Sequence, residues 1–482
     1  MIRTRFAPAA THHLSIRELQ GALFNSLLAR ARAGKFVIRI DDLDLQRGRA
    51  ETVHRILDDV RWLDIDWDEG PDIGGECGPY LQSKRREAYE EALEGLAAEG
   101  RLYPCFCENA GPAGGEIEGN GEDRAWSDPC SDLGSREVQR RLRSERPHVM
   151  RLRLGGRGPI RFRDMIRGWV EVEAGAVGHP VVRESDGHAS RLLCDALDDA
   201  RMKISHLLRC ESERGTVAAE LAVVDALGEK PPRVGLYPRL VGSDGNLYSR
   251  RHGAFTVESF KKLGYLSRTL SNYLVHLGWT RRGLGLKYDI RDLGERFHLA
   301  GIRKESVPFQ FPDLNALSNE YIREENLDHL ADRVLPYLIE GRFLDEEGHD
   351  RDLLKRILAA LRSNLHCLSE IVKYVDIFFG ETVIEPRGRE ALREEHVTTV
   401  LRAVRDRLFP ILDLDEARFA AVLTEVTRET GVDAEKLRTP LCVALTGMTE
   451  GTDLDRIAPI LGSRGCVEKI DRALSEVLPH YA

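Results

Sequence analysis

Arg3-Thr4-Arg5-Phe6-Ala7-Pro8-Ala9-Ala10-Thr11, with Ala22-Leu23-Phe24-Asn25 and Phe36-Val37-Ile38-Arg39-Ile40 behind it, is the stretch that decides the fold. Residues 2–7 make a short run of strand length. Leu19, Leu23, Leu27 and Leu28 then recur at the spacing of one helical face, and the second short run ends in Asp41-Asp42-Leu43-Asp44. Strand, turn, helix and strand in that order form a βαβ unit. The sheet is therefore expected to be parallel and nucleotide-binding in style, with its ligand crevice at the carboxyl ends of the strands.

Outward from this unit, residues 51–67 and 84–100 read as amphipathic helices. From 103 to about 190 the composition changes. A Gly-rich, acidic stretch (Gly111 to Asp123) is followed by short β-like runs at 149–154 and 169–173, the pattern of an insertion between two halves of a nucleotide fold. Helix and strand patterns resume at 191–241. After about 255 the chain is almost wholly helical, with apolar periodicity through Leu353, Leu358, Leu361 and Leu365. The expected division is 1–102 and 191–254 for the halves of an α/β domain, 103–190 for the insertion, and 255–322 and 323–482 for two helical domains.

At 482 residues the chain exceeds one compact domain. Its 42% hydrophobic and 31% charged residues describe a soluble globular protein, and no apolar run is long enough to span a bilayer. No secretory signal precedes the first strand, so the expected location is the cytoplasm and no membrane partner is expected. The net charge of −9 argues against a surface coated in basic residues, yet 70 Lys and Arg leave room for a local stripe that contacts phosphates. Nine cysteines in that compartment are expected to be thiols or metal ligands, with Cys194, Cys210, Cys367 and Cys442 in apolar surroundings.

A second stretch, Leu240-Val241-Gly242-Ser243-Asp244-Gly245 through Ser249-Arg250-Arg251-His252-Gly253-Ala254, joins the first. Together they resemble the glutamyl-tRNA synthetases, class I aminoacyl-tRNA ligases, in which the two stretches read R-T-R-F-A-P-S-P-T-G-x-L-H-I-G-G and L-G-x-D-G-K-K-L-S-K-R-H-G-A. Gly78-Pro79-Tyr80-Leu81-Gln82-Ser83, Ser185-Asp186-Gly187, Asp198-Asp199, Gly264-Tyr265-Leu266, Asn272-Tyr273-Leu274, Leu277-Gly278-Trp279 and Val443-Ala444-Leu445-Thr446-Gly447 match in order along the rest of the chain. The resemblance implies a Rossmann-type catalytic domain with an inserted acceptor-stem domain, followed by all-α linking and anticodon-binding domains. It also implies ATP-dependent attachment of glutamate to tRNA through a glutamyl-adenylate. The ligands would be ATP with Mg2+, glutamate or a similar acidic small molecule, and tRNA.

The chemistry-bearing positions depart from the family. The His-Ile-Gly signature has become Ser15-Ile16-Arg17-Glu18, and Lys-Leu-Ser-Lys has become Leu247-Tyr248-Ser249-Arg250. Adenylate formation needs phosphates held in place and charge neutralised as it builds. Ser15 keeps one short donor where relatives have His, Arg17 stands where the adenine needs bare backbone, and Glu18 adds negative charge. Leu247 removes one loop cation, and Arg250 keeps the other with a different shape. By the resemblance, Ser15 and Arg250 are the catalytic candidates, and Ser15, Arg17, Ser249 and Arg250 are the altered ATP positions. One lost transition-state donor costs about 10²–10³ in rate, so two cost roughly 10⁴. A slip of two residues would instead read His13-Leu14-Ser15-Ile16, with His12 adjacent, at the expense of gaps in an ungapped match.

At the amino-acid end, the resemblance gives Arg5 and Arg209, the latter within His206-Leu207-Leu208-Arg209-Cys210-Glu211, as holders of the substrate carboxylates, a bidentate match. Asp41 replaces the Glu that holds the α-amino group, Ala9 replaces a Ser and Arg191 a Tyr. The competing expectation is that both arginines are held in internal salt bridges. Asp198 and Asp199 carry no assigned chemistry. Cys105-Phe106-Cys107 with Cys130 resembles the zinc knuckle of some members, with Asp132, or else Glu108, as the fourth ligand; three free thiols are the alternative. Three functions follow: a synthetase with severely impaired adenylation, a non-catalytic paralogue that binds tRNA or a partner protein, or a divergent enzyme that activates another acidic substrate.

Overall fold

The computed structural model describes residues 1–10, 13–43, 50–107, 129–155, 158–280, 285, 287–345, 348–380, 382–449 and 453–477. His12, Asp44, Glu108 and the Gly-rich stretch 111–123 lie outside them. The chain divides into two units: Met1–Lys261 with Ser267–Phe311, and Lys262–Leu266 with Pro312–Ala482.

In the first unit the expected βαβ is present. Strands Arg3–Phe6 and Lys35–Ile38 pair in parallel, from Arg3 opposite Lys35 to Phe6 opposite Ile38, and helix Ile16–Arg30 connects them. A second parallel pair, His206–Cys210 with Arg233–Tyr237, is connected by helix Arg214–Ala226. Phe36, Val37 and Ile38 are fully buried, as are Ile16, Leu19 and Phe24 of the helix, with Leu23 and Leu27 nearly so. Each such side chain contributes about 2 kcal/mol by leaving water. Asn25 joins the first helix to both pairs. Its side chain accepts from Leu208 N (2.9 Å) and donates to Leu208 O (2.8 Å), and its carbonyl accepts from Thr4 Oγ1 (2.7 Å).

The helices expected at 51–67 and 84–100 run over Ala50–Trp62 and Arg86–Ala98. The first stops early because the backbone turns left-handed at Asp64 (φ 63°), and Gly100 (φ 70°) follows the second. The β-like runs after 103 fall on an antiparallel sheet ordered Leu102–Cys105, Val149–Leu152, Val181–Arg183, and on a hairpin of Ile160–Asp164 and Gly168–Val172. Asp164 fastens that hairpin to the second parallel pair by accepting from Leu236 N (2.9 Å).

The described elements of the second unit are helices and short helical turns. Helices Val397–Leu408, Glu416–Thr430, Ala434–Thr446 and Leu454–Val477 surround a core that includes Val400, Leu401, Phe419, Val426, Leu441 and Ile470. Gly431 and Gly447, both left-handed, end two of these helices, and Gly462 breaks the last. Leu353, Leu358 and Leu361 of the expected periodicity fall on helix Arg351–Leu361, where Leu354, Ile357, Leu358 and Leu361 are buried and Leu353 is half-buried, while Leu365 is buried beyond the helix end. Among the described residues no helix is long and apolar enough to cross a membrane.

Candidate functional site

The two signature stretches meet at the start of the first helix. Ile16 N donates to Phe255 O (2.9 Å) and Val257 N to Leu14 O (2.9 Å), so Ser15 faces Thr256 in an antiparallel bridge. Ser15 is the helix cap. Its hydroxyl donates to Glu18 Oε2 (2.7 Å) and accepts from Glu18 N (3.3 Å), and Ser15 N also donates to Oε2 (2.9 Å). This closed capping box satisfies backbone donors that the helix end would otherwise leave open. It corrects the expectation that Glu18 simply adds charge beside a triphosphate: the carboxylate turns back onto Ser15. Ser15 is 4% exposed, and its hydroxyl is engaged within the chain. The Arg17 guanidinium lies over the Phe255 ring, 6.0 Å from its centre. His13, the residue a shifted frame would use, is drawn to Glu258 (3.0 Å) and Arg55 (3.4 Å).

The second stretch folds as a tight loop. Gly242 N donates to Asn246 O (2.8 Å) and Tyr248 N to Leu240 O (2.9 Å). His252 Nδ1 accepts from Ser249 N (3.0 Å), while its Nε2 stands 3.0 Å from Asp244 Oδ1. Gly242 leaves room for that ring, since a Cβ there would meet it at 2.2 Å. Hydrogen bonds from Asn246 and His252, with the charge of Arg251, outweigh the cost of burial and hold the Asp244 carboxyl well below the usual range. Buried Tyr248 donates to Ala254 O (2.9 Å) and packs on Phe309. Arg250 is exposed and pairs with no carboxylate among the described residues. It is the signature cation left available to an anion. Leu247 is half-buried.

The amino-acid end is a charge network. Arg5 grips Asp199 with Nε (2.9 Å) and Nη2 (3.0 Å). Arg209 holds Glu213 through Nε (3.0 Å) and Nη2 (3.2 Å), and Glu220 through Nη1 (3.2 Å). Asp41 Oδ2 lies 3.0 Å from Arg191 Nε. Arg5 and Arg209 are thus paired inside the chain, the arrangement of the competing expectation. Sequence reasoning missed the centre of the network. Arg39, fully buried, meets Asp199 (2.8 Å), Asp195 (2.9 Å) and Asp198 (3.6 Å). Asp198 also accepts from Arg85 (2.5 Å), Tyr89 (2.7 Å) and Gln82 (3.1 Å). Burial alone would lower the Arg39 pKa, but Asp199, Asp198 and Asp195 raise it far more. Burial pushes the Asp41 and Glu220 carboxyls up, against Arg191 and Arg209 respectively. Burial also opposes the Asp195 charge, but Arg39 and Arg191 hold its carboxyl below the usual range. The readable signal was spacing: Asp195, Asp198 and Asp199 share one face of helix Arg191–Arg201.

Cys105, Cys107 and Cys130 come together, their sulfurs all within 4.8 Å and Cys107 to Cys130 at 3.6 Å. Tetrahedral zinc with bonds of about 2.3 Å needs sulfurs about 3.8 Å apart, so the three thiols fit that ion. Burial raises the Cys105 thiol, but hydrogen bonds from the Cys107 backbone and Arg151 bring it below its ordinary value. Burial and hydrogen bonding to Cys130 push Cys107 up to about 12. Asp132 is a correction. The turn after Pro129 points Cys130 inward and leaves Asp132 exposed, outside the cluster. The described residues supply three ligands and no fourth. Of the other cysteines, Cys194, Cys367 and Cys442 are buried, while Cys210 is half-buried beside Ser212 (3.2 Å).

Comparison with known proteins agrees with this architecture. Residues 1–304 match the family described as tRNA synthetases class I (E and Q), catalytic domain, and residues 329–474 match an anticodon binding domain. The glutamate–tRNA ligase of Heliobacterium modesticaldum is 35% identical, over 98% of this chain and 96% of its own. Glutamate–tRNA ligase 1 of Caldicellulosiruptor saccharolyticus is 32% identical over 98% of each. The crystal structure of a glutamate tRNA ligase from Elizabethkingia meningosepticum in complex with its amino acid shares the fold, with a TM-score of 0.76 over 98% of this chain and 99% of that one at 20% identity. With a Rossmann-type α/β catalytic region matched from its first residue and helical anticodon-domain sequence matched to residue 474, this chain belongs to the glutamate–tRNA ligase family of class I aminoacyl-tRNA synthetases.

Proposed function

We propose that the chain is a tRNA-binding member of this family in which adenylation of glutamate is severely impaired. The observation that carries the reading is the Ser15–Glu18 capping box. The hydroxyl that replaces the signature His is spent on the helix end, while Leu247 offers no charge to a phosphate. Among the altered ATP positions, Arg250 remains an exposed cation for the phosphates and Ser249 shapes the loop through His252. ATP with Mg2+ would supply the activated phosphorus when bound. Arg5, Arg209 and Asp41 would receive an acidic amino acid, by exchanging their present carboxylate and guanidinium partners for the ligand's.

The proposed division of labour keeps 1–102 and 191–254 for the catalytic fold, 103–190 for the acceptor stem, 255–322 for stem contact and 323–482 for the anticodon. Zinc on Cys105, Cys107 and Cys130 would tie strand Leu102–Cys105 to the turn at Cys130. A non-catalytic, tRNA-binding paralogue is the second reading, favoured by the saturation of Arg5 and Arg209 with internal carboxylates.

Charging of tRNA with labelled glutamate, run beside filter binding of the same tRNA, tests the proposal. Binding should persist and weaken with salt as phosphate contacts release counterions. Charging should fall roughly 10⁴ below an ordinary synthetase. Charging within tenfold of ordinary overturns the impairment. Undiminished binding by a chain ending near residue 320 overturns the role of the helical region.

A further inference from the structure

A cavity in the first unit lies at the opposite end of the strands from the site above. It has a volume of about 760 Å³, and its wall includes Arg32, Arg163, His206, Arg233 and His298. His206 and Arg233 open the second parallel pair and stand opposite each other in register. Arg209 is three residues further along the same strand, about 10 Å away. The volume falls within the range of about 300–1,000 Å³ typical of small-molecule sites.

The wall is cationic without compensation. Arg32, Arg163 and Arg233 are exposed, and none pairs with a carboxylate among the described residues. The acid in the wall, Asp164, is 2% exposed and spent on backbone donors: Ile166 N (2.6 Å), Arg167 N (2.8 Å) and Leu236 N (2.9 Å). Burial, with the charges of Arg233 and Arg32, holds the His206 pKa below its usual value, which places two of the arginines within electrostatic reach of that ring. A concave wall of like charge focuses the field on an incoming anion, and guanidinium forks suit phosphate oxygens.

One further residue separates a nucleotide from bare phosphate. Trp169 is 75% exposed and directly across the hairpin from Arg163. Cross-strand partners share a face, and this face points away from buried Phe162 and Val172. An exposed indole beside unpaired Arg163, itself in the cavity wall, gives a base a surface to stack on while its phosphates enter the cavity.

We infer that this face binds a nucleoside polyphosphate, the phosphates held by Arg32, Arg163 and Arg233 and the base stacked on Trp169. The site is separate from the one that gives the family its activity, and it stands whether or not adenylation is impaired.

Calorimetry of the full chain with GTP, and separately with inorganic tripolyphosphate, tests it. GTP avoids the adenine base of the family's own site. Saturable binding of both ligands is expected. Arg163→Ala with Arg233→Ala should weaken both at least 100-fold, and Trp169→Ala should weaken GTP about tenfold while leaving tripolyphosphate unchanged. These three side chains are exposed, so the fold should tolerate their loss, which a melting curve checks. Arg250→Ala should leave GTP affinity where it is. Loss of GTP binding in Arg250→Ala would place the ligand in the other site and overturn the inference. So would the absence of saturable binding by either ligand, or equal affinity in the double variant. Binding of a short RNA hairpin that needs Arg163 and Arg233, with no binding of GTP, would assign the face to RNA and overturn the nucleotide.

Discussion

Substituting Glu213→Gln should tighten glutamate binding. Arg209 gives Nε and Nη2 to Glu213, at 3.0 and 3.2 Å, and Nη1 to Glu220. The fork that a substrate carboxylate needs is therefore occupied by the chain's own. Burial pushes the Glu213 carboxyl up, but Arg209 outweighs it and holds the group below the usual range, so Glu213 is charged at pH 7 and the substitution removes a real charge. A charge-assisted hydrogen bond contributes about 1.5–3 kcal/mol and a neutral one about 0.5–1.5. Weakening the internal competitor by about 1.4 kcal/mol should lower the glutamate Kd about tenfold. Titration calorimetry with glutamate measures this, with thermal melting as control because the Glu213 side chain is 33% exposed. An unchanged or weaker Kd in a variant that melts like the parent would refute the idea that Arg209 is a carboxylate receptor masked from within.

Acid stability should centre on Glu69. Its bond to Arg3, with those to Tyr80 and Lys35, lowers its pKa from 4.5 to about 2. A depressed carboxyl stabilises the fold above its unfolded value and loses that contribution as pH falls through its folded value, here from about 4.5 towards 2. The shift is equivalent to about 3 kcal/mol, so Glu69→Gln should be less stable by about that amount at pH 6 and should lose less on acidification to pH 3. Denaturant melts at the two pH values check it, and equal stability at pH 6 would contradict it. Metal analysis of purified protein should find near-stoichiometric zinc that Cys130→Ser loses; well-folded, metal-free parent protein would rule out the three-thiol site.

Much of the fold was legible because it is written in local periodicity. The run at 36–38 and the leucines from Leu19 to Leu28 specify the first βαβ by their spacing alone. The cysteine cluster was legible too, since Cys105 and Cys107 sit at a strand end and only Cys130 had to be brought back. Asp132 was misread because nothing in its neighbours shows which way the turn points it. Ser15 and Glu18 stand at the spacing of a capping box, a pattern hidden by reading both residues against phosphate chemistry. The Arg39 network is the opposite case. Its partners lie 156–160 positions away, so no local pattern connects them, although the spacing of Asp195, Asp198 and Asp199 marked an acidic helix face.

On the proposed function, the altered signature residues, rather than the framework around them, limit adenylation. Glutamate-dependent pyrophosphate exchange tests it most directly, measured for the parent chain beside a Ser15→His, Arg17→Gly, Leu247→Lys variant. Exchange is expected roughly 10⁴ below an ordinary synthetase in the parent, with a gain of at least about 100-fold in the variant. Parent exchange within tenfold of an ordinary synthetase would contradict it.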